Sequence, residues 1–191
     1  MRDWPVNYKE LLYSEEQVSQ RIDELAAEVI ARYRDTRSIF VSLLNGAQPF
    51  AAQLMFAIQR RDPSFHPNVQ SMIISHYGSN REPGAMRVVT DLPPEYRDLT
   101  GMRVVVLDDL VDRGGTLRYA AEHLHAYGAE SVESIVLVRK RKDPPVESNV
   151  VLVGFDDAPD VWLTGMGMDD HSTAPEANRW AAWIAIANSG D

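Results

Sequence analysis

The sequence predicts an α/β fold: a central, mainly parallel sheet flanked by helices. Three observations carry this. Short apolar runs rich in valine and isoleucine alternate with stretches of helical periodicity. The runs are apolar throughout rather than at every second residue, the mark of strands buried on both faces. One run ends in acids and glycines that lead into a helix, and ligands of parallel sheets sit at the carboxyl ends of strands. Of the residues, 45% are hydrophobic and 25% charged, a globular balance. A length of 191 suits a single domain over residues 1–191, with a core over about 36–160.

The elements follow in order. Ser14-Glu15-Glu16-Gln17 is a capping box, and Val18, Ile22, Leu25, Val29, Ile30 and Tyr33 then recur at helical spacing. Ile39 to Leu44 reads as a buried strand. Asn45-Gly46 turns the chain, and Pro49 suits the first turn of a helix through Ile58. Ser71 to Tyr77 is a second strand. The stretch from Gly78 to Pro94 has turn residues and mixed charge without periodicity, so it reads as a long loop. Arg103 to Leu107 is a third strand, Thr116 to Tyr127 a helix closed by Gly128, and Val132 to Val138 and Val150 to Val153 are further strands. Asn178 to Ala187 is apolar all round and fits a strand or a short helix. Arg139-Lys140-Arg141-Lys142 and Asp156-Asp157 read as solvated turns. Trp180 and Trp183 read as packing the C-terminal segment.

Charge and composition exclude several functions. Lys and Arg number 19 against 28 Asp and Glu, a net charge of −9, so neither nucleic acid nor an anionic membrane is the expected partner. Cysteine is absent, which removes disulfides, thiolate metal sites and a cysteine nucleophile and agrees with an expected cytoplasmic location. The first residues lack the apolar core of a signal peptide. The uncharged stretch 38–59 is long enough to cross a bilayer. Asn45, Gly46, Gln48, Pro49 and Gln53 interrupt it, and a strand, a turn and a helix explain it better.

The chemistry lies in Val104-Val105-Val106-Leu107-Asp108-Asp109-Leu110-Val111-Asp112-Arg113-Gly114-Gly115-Thr116. An apolar strand meets two carboxylates, then a third, then two glycines and a threonine that opens a helix. Glycines let backbone amides approach a ligand, and a helix N-terminus favours an anion. Carboxylates and an anion cradle in one turn suit a ligand with phosphate at one end and hydroxyl groups or a metal at the other. A phosphorylated sugar meets that description. The Walker pattern Gly-x-x-x-x-Gly-Lys-Ser/Thr is absent.

Residues 104–116 resemble the phosphoribosyl pyrophosphate (PRPP) signature of the type I phosphoribosyltransferases. The flanks resemble the hypoxanthine-guanine branch: Leu43-Leu44-Asn45-Gly46-Ala47 its pyrophosphate turn, Ser75-His76-Tyr77-Gly78 the start of its mobile loop, and Pro159-Asp160-Val161-Trp162-Leu163-Thr164-Gly165 with Gly167-Met168-Asp169 its purine-binding end. The resemblance implies a small hood of chain-terminal segments over the strand ends, and a Mg²⁺-dependent transfer of phosphoribosyl from PRPP to a 6-oxopurine base. It implies that Asp108 and Asp109 hold the ribose hydroxyls, directly or through Mg²⁺. Asp112 would be general base or acid, and Arg113, Gly114, Gly115 and Thr116 would cradle the 5′-phosphate. Leu44, Asn45, Gly46 and Arg179 would meet pyrophosphate, in this family often through a strained or cis peptide. Lys140, Trp162, Leu163 and Asp169 would form the purine end, with Asp169 on a second Mg²⁺. Ser75 and Tyr77 would belong to a lid over 78–94 that excludes water, and the assembly would be a homodimer or homotetramer.

Some positions depart from the family pattern. Asp108 stands where Glu is usual, Asn45 replaces a common basic residue, and Arg113 stands where Thr or Ser is frequent. His76 and Asp170 also differ from the usual residues. Two other readings are a phosphoribosyltransferase for another nucleobase and a PRPP-binding regulator. The purine-like end argues against the first; the net charge and the presence of Asp112 argue against the second.

Overall fold

The computed structural model describes residues 8–76, 86–144, 148–169 and 178–188. Tyr77, residues 78–85 of the expected lid, and Asp170 lie outside the described residues.

The element order is β1 (Tyr8–Tyr13), α1 (Glu15–Tyr33), β2 (Ser38–Leu44), α2 (Gln48–Arg61), β3 (Asn68–His76), β4 (Met86–Thr90), a 3-10 turn (Pro94–Tyr96), β5 (Arg103–Val111), α3 (Gly115–Ala126), β6 (Ser131–Lys140), β7 (Val150–Ala158), β8 (Leu163–Thr164) and β9 (Ile184–Ala187). Six strands form one sheet in the order β4-β3-β2-β5-β6-β7. Its contacts from β3 through β7 are parallel, and β4 runs antiparallel on the edge.

Period-two geometry decides which helix each strand residue meets. Val105 and Leu107 of β5 join Phe40, Ile135 and Leu137 under α1 and α2. Val104 and Val106 point the other way, with Ile39, Val41 and Val136, against Leu117, Ala120 and Leu124 of α3. Helix α1 starts where its capping box predicts: the Ser14 amide donates to the Gln17 side chain at 2.8 Å, and the Gln17 amide donates back to the Ser14 hydroxyl at 3.4 Å. Its buried face is Val18, Ile22, Leu25, Ala26, Val29 and Tyr33. The uncharged stretch 38–59 divides into β2, a turn and α2, and among the described residues no helix is long and apolar enough to cross a membrane.

A second, antiparallel sheet of order β1-β9-β8 joins the two ends of the chain. Tyr8 pairs with Ala187, and Leu163 with Ile186. The Tyr13 ring stacks on Phe155, centroids 3.8 Å apart, and so ties this hood to β7.

Several expectations need correction. The strand beginning at Arg103 runs on to Val111, so Asp108 and Asp109 lie within it; the ladder to β6 continues past Asp108, which pairs with Val136. The expected loop 78–94 contains β4. Ser75, within the strand expected over 71–77, sits in a ladder opposite Arg87. An edge strand with one paired side needs little apolar patterning, which is why its sequence carried no signal. Asp156 and Asp157 belong to β7. Of the segment 178–187, the first residues turn and the last four form β9. Trp183 packs edge-on against Tyr8 at 4.9 Å, whereas Trp180 is 64% exposed.

Candidate active site

The site lies at the carboxyl ends of β2, β5 and β6, beneath the hood. Asp108 is buried in the second half of β5 and Asp109 is partly buried beside it. Burial, and then the neighbouring Asp109 charge, push the Asp108 carboxyl well above its ordinary range. Burial also raises Asp109, with the Arg179 charge acting in the opposite direction. Two adjacent carboxylates penalised by burial suit a site that binds a cation.

Beyond them the chain turns through Asp112 and Arg113 to Gly114, which has φ +69° and caps α3 without a side-chain bond. That left-handed conformation is cheap for glycine. The opening amides of α3 are thus left to meet an anion, aided by the helix dipole. Arg113, Gly114, Gly115 and Thr116 line a cavity of about 370 Å³ together with Asp108, Asp112 and Met86.

A second cavity, of about 310 Å³, shares Asp108, Leu110, Asp112 and Thr116 with the first. Its other walls include Leu44, Gly46, Lys140, Trp162, Leu163, Asp169 and Arg179. The peptide bond between Leu44 and Asn45 is cis. Asn45 itself is exposed and not part of this lining. A methyl group at Gly46 would stand 2.5 Å from an Asp109 carboxylate oxygen, and one at Gly167 would stand 1.7 Å from the Gly46 carbonyl oxygen. Two glycines therefore let the β2–α2 turn, the acid pair and the turn after β8 close on one point.

The hood residues are held by specific bonds. Trp162 is 46% exposed, and its indole N–H donates to the Asp169 carbonyl at 2.8 Å. The ring is thus anchored at one edge and nearly half exposed; it is not core. Arg179 donates to the Gly167 carbonyl at 2.6 Å and lies 3.4 Å from the Asp169 carboxylate. Lys140 is buried at the end of β6, with its ammonium 3.7 Å from Asp112. The run 139–142 is not a solvated turn: Arg139 and Arg141 pair with Asp156 and Asp157, and Lys142 with Asp112 and Asp160.

Most of the expected residues thus converge. Asp108, Asp109, Asp112, Thr116, Lys140, Leu44, Gly46, Trp162, Leu163, Asp169 and Arg179 share one cavity, and Arg113, Gly114 and Gly115 line the adjoining one. Sequence reasoning missed Met86 and Lys142, and named Gly167 only as part of the purine-binding run. Gly167, at φ +102°, lies in the glycine-rich run after Trp162; Lys142 had no signal of its own among four adjacent basic residues. Met86 had none, because its approach depends on how β4 pairs.

Two walls of different chemistry meet at Asp112: an amide cup for an anion, and a slot with an aromatic face and a cation.

Comparison with known proteins agrees. Residues 9–171 match the model of the phosphoribosyl transferase domain. The hypoxanthine-guanine phosphoribosyltransferase of Dictyostelium discoideum is 30% identical over 163 residues, covering 84% of this chain and 87% of that protein. The Bacillus subtilis protein of that name is 28% identical, over 84% of this chain and 85% of its own. A solved hypoxanthine phosphoribosyltransferase of Staphylococcus aureus superposes with a TM-score of 0.79 at 25% identity, covering 95% of this chain and 92% of that one. The chain belongs to the phosphoribosyl transferase domain family, in the branch of the hypoxanthine-guanine phosphoribosyltransferases.

Proposed function

We propose that the protein transfers the 5-phosphoribosyl group from PRPP to a 6-oxopurine, hypoxanthine or guanine first and xanthine next, releasing the nucleoside 5′-monophosphate and pyrophosphate. The observation that carries this reading is the meeting of two cavities at Asp112, an amide-lined cup on one side and a slot with Trp162, Leu163 and Lys140 on the other.

In this reading the opening turn of α3 binds the 5′-phosphate, with Arg113 as an added cation, and Asp108 and Asp109 hold the ribose hydroxyls. Trp162 stacks on the base, and Lys140 donates to its 6-oxo group. Leu44, Gly46 and Arg179 face pyrophosphate, with the exposed Asn45 outside that lining. The bond from ribose C1 to pyrophosphate breaks as the bond to the purine nitrogen forms. Positive charge grows on the sugar and negative charge on the leaving group. Asp112 takes up or shares the proton lost by the purine, and Arg179 with the backbone of the β2–α2 turn meets the departing oxygens.

The residues suit Mg²⁺. Asp108 and Asp109 are hard oxygen donors whose burial penalises their charge, a penalty that a divalent cation offsets. Mg²⁺ favours one or two carboxylates completed by substrate oxygens and water. Asp169 is a second candidate holder. When bound, Mg²⁺ neutralises charge on the pyrophosphate. A homodimer or homotetramer is part of the proposal, read by sedimentation of the native chain; a monomer at every concentration refutes that part.

The test is an ultraviolet assay with PRPP, Mg²⁺ and each purine in turn. Nucleotide formed from hypoxanthine or guanine is the expected result. PRPP binding with no nucleotide from any base would overturn the reading in favour of a PRPP-binding regulator.

A further inference from the structure

The basic run straddles the end of β6, whose last residue is Lys140, and its side chains divide into two pairs. Arg139 and Arg141 turn outward onto β7, with Arg139 Nε 2.7 Å from Asp156 and Arg141 Nε 2.6 Å from Asp157. Lys140 and Lys142 turn inward, with side chains only 6% and 15% exposed. Outward pairs of this kind contribute little. The inward pair differs, because both ammonium groups address Asp112.

They address it unequally. Lys142 Nζ is in direct contact with Asp112 Oδ1, and it also lies 2.5 Å from Asp160 Oδ1. Lys140 Nζ is 3.7 Å from Asp112 Oδ2. Oδ1 of Asp112 is buried, although the side chain as a whole is 45% exposed. One oxygen therefore rests inward on Lys142, and the remainder of the carboxylate faces the cavity. Lys142 donates a hydrogen bond to Asp160 and makes an ion pair with Asp112 Oδ1, so one ammonium addresses both carboxylates. It links the turn after β5 to the turn after β7, across the end of β6.

We propose that Lys142 is a positioning residue for Asp112: anchored by Asp160, it holds Oδ1 and leaves Oδ2 aimed at the purine nitrogen that gives up its proton. This rests on the role given to Asp112 in the proposed reaction. The physical need is clear from the local chain. Asp112 precedes Arg113 and the left-handed Gly114 in a turn, and its ion pairs run to Lys140 and Lys142. Without Lys142, Asp112 is free to rotate onto Lys140, and both groups then leave the base. Lys142 touches neither cup nor slot, so its effect belongs to turnover and not to PRPP affinity.

The experiment is steady-state kinetics on the intact chain with Lys142→Met, Lys142→Arg, Asp160→Asn and the double variant Lys142→Met/Asp160→Asn, alongside PRPP binding by calorimetry. Misplacing a reacting group by about 1 Å costs about 100-fold. Lys142→Met is accordingly expected to lower kcat by about 10- to 100-fold with PRPP affinity unchanged, and Lys142→Arg to recover most of the loss. Asp160→Asn is expected to lower kcat less, and the double variant to fall no further than Lys142→Met. A Lys142→Met enzyme with wild-type kcat overturns the inference. So does a loss shared equally with PRPP affinity, or a loss from Asp160→Asn that adds fully in the double variant. Should Lys142→Met fail to fold, Asp160→Asn decides: full turnover there overturns the inference. A wild-type chain that forms no nucleotide removes the proposed reaction and this inference together; a wild-type chain that turns over while Lys142→Met matches it removes this inference alone.

Discussion

At the scale of single residues, the site works by giving similar side chains different surroundings. Asp108 is buried and pushed upward by burial, whereas Asp112, a few positions on, is part-exposed between two lysines. The first arrangement suits a cation or hydroxyl groups, the second a group that exchanges a proton. Asp112→Ala is therefore expected to lower kcat by about 100-fold or more while leaving PRPP affinity nearly intact, as read by turnover and calorimetry together; equal losses in both would contradict the proton role. Trp162 presents an exposed ring held by its N–H. Base stacking is worth ~1–3 kcal/mol, so Trp162→Ala is expected to raise the KM for the base by about one to two powers of ten. A KM that does not move sinks the stacking role. The acid pair, Asp112 and the glycines beside it were legible as residues because their order in one turn is chemically specific. Lys142 was not, since four adjacent basic residues carry no sign of which two face inward until the strand direction is known.

At the scale of elements, the capping box, the α1 stripe and the valine-rich strands were legible because each signal is local. The edge strand β4 and the hood strand β1 draw their stability from partners distant in the chain, so their own residues announce little. One long-range bond between elements yields a pH prediction. The Tyr33 hydroxyl of α1 donates to Glu133 of β6 at 2.6 Å, and Arg32 pairs with the same carboxylate at 3.0 Å. Burial raises the Glu133 pKa, but the bonds from Arg32 and Tyr33 outweigh it and hold the carboxyl below its ordinary value. A carboxylate depressed in the folded state stabilises above its unfolded pKa, near 4.3, and loses that contribution as pH falls through its folded pKa. Glu133→Gln is expected to cost about 1 kcal/mol at neutral pH, with the gap from wild type closing in acid. Denaturant unfolding across pH checks this; a gap that stays constant refutes it.

At the scale of the whole molecule, the site belongs to no single segment. The β2–α2 turn, the end of β5, Lys140 and the hood all contribute walls, and Arg179 reaches in from beyond β8. A ligand that bridges hood and sheet must stabilise the folded chain as a unit. PRPP with Mg²⁺ at about 100 times its Kd is expected to add about 2.7 kcal/mol to unfolding stability, seen as a rise in Tm. Chelation by EDTA is expected to remove most of that rise. A Tm shift from PRPP that EDTA leaves unchanged would contradict the placing of Mg²⁺ on the acid pair.

What this sequence determined by itself was the class of fold, the succession of helices and strands in the central sheet apart from β4, and the chemical nature of the turn from 108 to 116. Those properties follow from periodicity, capping and the chemistry of adjacent residues, all of which act within a few positions. Tertiary structure alone decided that Gly167 lies against Gly46, that the ends of the chain form one small sheet, and that alternate lysines of a basic run turn toward Asp112. Each of these is a meeting of residues far apart in the chain, settled by how sheet and hood pack, and a short stretch of sequence has no term for that distance.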